Sequence, residues 1–94
     1  MKVSGFIWLD GIVEKLHQKH SVLQEEVREV FNNRPKFRFV EKGHRPGENV
    51  YFAAGQTMDG RYLIIFFVAK KDKRALILSA RDMTRSERKG YEHK

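Results

Sequence analysis

The longest apolar run in the chain, Tyr62 to Ala69, reads Tyr-Leu-Ile-Ile-Phe-Phe-Val-Ala. A stretch of this length without a polar break predicts a central strand covered on both faces. The segments around it alternate instead. Phe37 and Phe39 are interleaved with Lys36 and Arg38, which predicts a half-buried strand over about 36–41. Val50 to Thr57 and Ala75 to Ser79 supply two further strands. Asp59-Gly60 leads into the central strand through a tight turn that needs positive φ. Gly43-His44-Arg45-Pro46-Gly47 predicts a loop, and Lys70-Lys71-Asp72-Lys73 a charged turn.

The period changes upstream. Phe6-Ile7-Trp8-Leu9 is a short apolar run and predicts at most a brief strand. Asp10 is placed to cap a helix over about 11–19, whose apolar positions Ile12, Val13 and Leu16 share one side. Leu23, Val27, Val30 and Phe31 recur at helical spacing, so 22–32 predicts an amphipathic helix. Ser21 and Gln24 fit a capping box at its start, and Asn32-Asn33-Arg34-Pro35 ends it. Thr84 and Glu87 form a second capping box that opens a last helix over 85–92. Trp8, Phe66 and Phe67 are expected in the core, with Tyr91 packing the last helix onto the sheet. The expectation is one α+β domain over residues 1–94, with two N-terminal helices, a four-stranded antiparallel sheet and a C-terminal helix.

Composition narrows the chemistry. The 94 residues include 19 Lys/Arg and 12 Asp/Glu, a formal net charge of +7. The excess is not spread evenly. Residues 1–33 hold four Lys/Arg against five Asp/Glu, while residues 34–94 hold fifteen against seven. A basic surface of this kind captures polyanions, and it serves an acidic protein partner equally well. With no cysteine, a disulfide scaffold, a thiolate metal site and a Cys nucleophile are all excluded. No apolar run reaches the ~18 residues of a membrane span, and Met1-Lys2-Val3-Ser4-Gly5 lacks a signal-peptide apolar core. A cytoplasmic setting without membrane contact is expected. His17 and His20 are three positions apart with no third ligand in view, so no metal site is expected there.

Several stretches together resemble one known pattern. Phe6-Ile7-Trp8 and Asp10 resemble a Phe-x-Trp-Asp signature with one residue inserted. Lys19-His20-Ser21-Val22, Glu25-Glu26 and Val30-Phe31 resemble Lys-His-Gly-Val-x-x-Glu-Glu-Ala-x-x-Val-Phe. Gly55-Gln56-Thr57, Gly60-Arg61-x-Leu63 and Ser79-Ala80-Arg81 followed by Thr84, Glu87 and Tyr91 complete it. This resembles the BrnT family of toxins, of the RelE/ParE-type fold group. The resemblance implies a bacterial endoribonuclease that cleaves RNA without a metal or other cofactor. It also implies neutralisation by a cognate DNA-binding antitoxin, with DNA contacted only through the complex. Two positions depart from the pattern. Val50 stands where the family usually has Arg before the Tyr of a strand, and Leu76 where it often has Arg. Both changes remove a fixed positive charge from the expected RNA face, so a catalytically degenerate nucleic-acid-binding or protein-interaction module of the same fold is the alternative.

Metal-free RNA cleavage needs a base for the 2′-hydroxyl, an acid for the leaving 5′-oxygen and cations for the charge on phosphorus. Arg81, at a strand end just before a helix N-terminus, is the candidate phosphate clamp. Arg61, at a hairpin exit, is a second cation of the catalytic set. His44 and Glu48, four apart in the Gly/Pro loop, are the candidate acid–base pair, with the two roles left unassigned between them. Tyr51 is a candidate to stack on a base, and Arg85, Arg88 and Lys89 share a helix face suited to tracking phosphates.

Overall fold

A computed structural model describes residues 1–93. Its elements run β1 (Gly5–Ile7), α1 (Ile12–His20), α2 (Gln24–Asn32), β2 (Lys36–Arg45), β3 (Glu48–Gln56), β4 (Tyr62–Ala69), β5 (Arg74–Asp82) and α3 (Arg85–Glu92). The class is α+β, but the sheet is mixed and has five strands in the order β1-β5-β4-β3-β2. The expected four antiparallel strands are present as β2 to β5. The correction is β1, which pairs parallel with β5 through Gly5↔Arg74, Phe6↔Ala75 and Ile7↔Leu76. Strand β1 satisfies a β5 edge that would otherwise lie bare.

The continuous run of β4 is explained by its position. Its residues Leu63, Ile65 and Phe67 point to the side where α1 lies over β5 and α2 over β3. There they meet Ala53, Ala75, Ile77 and Ala80 from the neighbouring strands, Leu16, Val27 and Val30 from the helices and Val22 from the turn between them, all buried. Phe31 stands edge-on to Phe67 with ring centroids 5.3 Å apart, and Tyr51 stacks on Phe67 at 6.1 Å. The alternate β4 residues Tyr62, Ile64, Phe66 and Val68 face the opposite side. Phe67 is fully buried in the core as expected, whereas Phe66 is only half-buried and belongs to that second face.

Several boundaries differ for local reasons. Asp10 does not cap α1; the N-cap is Gly11 in the left-handed region at φ 80°. Ser21 does not open α2, because it closes α1: at φ 53° it donates to His17 O, and Val22 donates to Leu16 O. The α2 N-cap is Leu23, whose amide donates to Glu26 Oε1 at 2.9 Å. Leu23 is consequently turned out to solvent rather than into the core. Most of the expected loop at 43–47 is strand. Strand β2 continues to Arg45, which pairs with Glu48, leaving Pro46-Gly47 as the turn. Strand β5 extends past Ser79 to Asp82. The capping box of α3 is as expected, with Thr84 and Glu87 each accepting from the other's amide. No helix among the described residues is long and apolar enough to cross a membrane.

Candidate functional site

The sheet face away from α1 and α2 is built of cross-strand rows, about 7 Å apart along the strands. The first row is Lys36, Ala54, Ile64 and Arg81. Helix α3 covers it. Lys36 Nζ donates to Tyr91 O, Tyr91 packs edge-on against Tyr62 at 5.9 Å, and Tyr62 donates its hydroxyl proton to Glu92 at 2.9 Å. The second row is Arg38, Phe52, Phe66 and Ser79. Phe52 and Phe66 meet edge to face at 6.0 Å and are only half-buried, so the row presents aromatic surface between a cation and a hydroxyl. The third row, Glu41, Val50, Val68 and Leu76, is apolar over its three central strands.

The third row floors a cleft of about 560 Å³ whose walls include Lys42, His44, Glu48, Lys70 and Leu78. His44 is exposed on the rim. Glu48 is buried beside it, bonded to Lys70 Nζ at 2.8 Å and accepting the Lys71 amide at 3.1 Å. These bonds hold its carboxyl below the usual carboxylate range, led by the hydrogen bond from Lys70. Glu48 therefore orients Lys70 and is a weak proton acceptor. Val50 and Leu76, the two departures noted in the sequence, flank Val68 in this floor.

Arg81 lies at the other end of the open face. Its guanidinium sits over the Phe66 ring at 5.7 Å and meets Glu87 through two bonds of 2.7 and 3.0 Å. The hydrogen bond from Arg81 holds the Glu87 carboxyl down at about 2. A carboxylate and a phosphate offer the same pair of oxygens to an arginine fork. In this structure the two oxygens of Glu87 occupy that fork.

The candidates named from sequence do not form one cluster. His44, Glu48 and Arg81 are on the same face, but strand spacing and rise put Arg81 about 20–25 Å from His44. Arg61 points the other way. It donates to Asp82 at 2.7 Å, Glu26 at 3.1 Å, His20 O at 2.9 Å and Ser21 O at 2.7 Å, tying the α1–α2 corner to the end of β5. Tyr51 faces the helix side, against Phe67 and Phe39. On α3, Arg85 and Lys89 are exposed, while Arg88 lies over the Tyr62 ring at 4.0 Å and pairs with Glu92. Sequence reasoning missed Arg38, Lys42, Lys70 and the Phe52–Phe66 floor. The alternation of Lys36 and Arg38 with Phe37 and Phe39 was the available signal, since it puts two cations on one face of β2.

No curated protein matches the chain. One family profile does, described as the ribonuclease toxin, BrnT, of type II toxin-antitoxin systems, over residues 8–87. That span contains the whole open face, including His44 and Arg81. The chain belongs to the BrnT family of ribonuclease toxins.

Proposed function

We propose that this chain is a metal-independent endoribonuclease of the bacterial cytoplasm that cuts single-stranded RNA on its open sheet face. A cognate DNA-binding antitoxin neutralises it, and the pair reaches DNA through that antitoxin. The observation that carries this reading is the arrangement of cations around an aromatic floor on the uncovered face. Unpaired bases stack on exposed aromatic rings at about 1–3 kcal/mol each, and a flanking cationic track holds the backbone. Phe52 and Phe66 supply the rings. Arg38 and Arg81 lie at the two sides of that floor, and α3 carries Arg88 over Tyr62 together with the exposed Arg85 and Lys89.

In this reading the two ends of the face have separate tasks. Arg81 holds a phosphate by exchanging its Glu87 carboxylate for phosphodiester oxygens. His44, on the cleft rim, takes or gives the proton, since one imidazole nitrogen can accept a proton and the other can donate one. Lys70, held by Glu48 at 2.8 Å, faces the charge that builds on phosphorus. The scissile bond therefore lies at the cleft, several nucleotides from the Arg81 grip.

A second reading is favoured by the third row. Val50, Val68 and Leu76 put no donor in the cleft floor, which suits a binding module without catalysis. Incubating the purified protein with single-stranded RNA in EDTA separates the two. Cutting by wild type that His44→Ala abolishes, with circular dichroism unchanged, is the expected result. Intact RNA at high protein concentration, with salt-sensitive binding retained, selects the second reading.

A further inference from the structure

Beside the cleft, at the end of the sheet where β4 turns into β5, is a second concavity of about 420 Å³. Lys2, Lys70, Lys71, Lys73 and Arg74 line it, Tyr51 forms part of its wall, and no carboxylate among the described residues lines it. Hydrogen bonds build this cluster. Ser4 N donates to Lys73 O at 2.8 Å and Ser4 Oγ to Asp72 O at 3.3 Å, so the segment before β1 is laid against the turn and Lys2 is brought to the other lysines. Lys70 pairs with Glu48 and Arg74 with Asp72. Lys2, Lys71 and Lys73 are exposed and have no acidic partner among the described residues. Gathering like charges in this way costs stability unless an anion joins them.

The turn itself points the same way. Lys73 has φ +73°, in the left-handed region where a non-glycine residue is strained. The other two hairpin turns of the sheet place Gly47 at φ +79° and Gly60 at φ +89°. A glycine at 73 would relieve the strain and remove a cation; the chain keeps the cation. The cleft opens on one face of the sheet and the concavity on the other, and Lys70, at the end of the sheet between them, lines both.

We propose that this lysine-rich concavity is a second backbone-binding site, which holds the phosphates of single-stranded RNA running off the cleft and round the end of the sheet. The inference rests on the reading of the open face as an RNA site, and extends it to a footprint longer than that face. None of Lys2, Lys71 and Lys73 lines the cleft, so their contribution is separable.

The test is binding of a labelled single-stranded RNA of about twelve nucleotides, long enough to leave the cleft, measured over a salt series. The variant is Lys71→Ala with Lys73→Gly, the second change being one the backbone favours. Its melting temperature is expected to equal or exceed that of wild type, so weaker binding is not a folding defect. The charge-matched control is Lys15→Ala with Lys19→Ala, on α1 and away from both concavities. The expected result is about a five- to tenfold loss of affinity for the turn variant, and a salt slope shallower by about 1.4 for two lost phosphate contacts. The control should stay within about twofold of wild type. A turn variant that binds like the control, beside a wild type that binds well, overturns the second site and leaves the open-face reading standing. A wild type with no affinity for RNA overturns both. Loss of an acidic protein partner in the turn variant, with RNA binding unchanged, reassigns the concavity to that partner.

Discussion

Arg61 shows how far a residue's role depends on what the fold brings to it. Its guanidinium bridges two carboxylates and two main-chain carbonyls, and the hydrogen bond to Asp82 leads the rise in its pKa. Arg61→Ala would leave Glu26, Asp82 and the carbonyls of His20 and Ser21 without that partner. With the side chain 26% exposed, water compensates in part, and a cost of about 2 kcal/mol is expected. Urea unfolding should register it, while the folded fraction keeps its RNA affinity. Arg61→Lys should recover little, because an ammonium cannot reach four acceptors as a planar fork does. Glu87 gives a pH signature. Arg81 holds its carboxyl at about 2, below the ordinary 4.5. The stabilisation is complete above pH 4.5 and is lost as pH falls toward 2. Both partners are about one-third exposed, so screening leaves roughly 1 kcal/mol. Stability curves for wild type and Glu87→Gln should therefore converge by about that amount across this acid window. The Arg61 bridge was not legible in the sequence, since its carbonyl partners lie about forty residues upstream and carbonyls carry no side-chain signal.

Elements were legible where their signals were local. Helix α3 has the predicted span because Thr84 and Glu87, three residues apart, satisfy each other's amides. Strand β4 has its predicted bounds because an unbroken apolar run needs cover on both faces, and α3 covers half of the second one. The start of α2 was misread because Ser21 fits two uses, and the close of α1 takes it first. Strand β2 was cut short because Gly43 and Pro46 look like punctuation. Gly43 is instead a point of close approach: a Cβ there would stand 1.9 Å from Glu48 O. Gly43→Ala must therefore push the two strands apart beside His44. A loss of at least about 2 kcal/mol is expected, with faster amide exchange concentrated in the β2–β3 hairpin. If only global exchange speeds up, the hairpin is not where the strain falls.

At the scale of the molecule, one sheet separates two tasks. The face toward α1 and α2 buries the core, and the opposite face remains half open, with a cation-lined cleft at one end and Arg81 at the other. The basic character was visible in the charge count, and the face it occupies was visible only in part, through the alternation in β2. The non-local joins were not visible at all, β1 with β5 foremost. That pairing has a consequence for the protein's synthesis. Contacts between segments distant in sequence form late, after a large loop has closed. Gly5 must wait for Arg74, and the Arg81–Glu87 pair must wait for β5 and the start of α3. A growing chain therefore carries α1, α2 and half its sheet before the open face is complete. A chain cut short before Glu87 would have its first two helices and most of its sheet, yet neither Arg81's partner nor the helix that covers the first row.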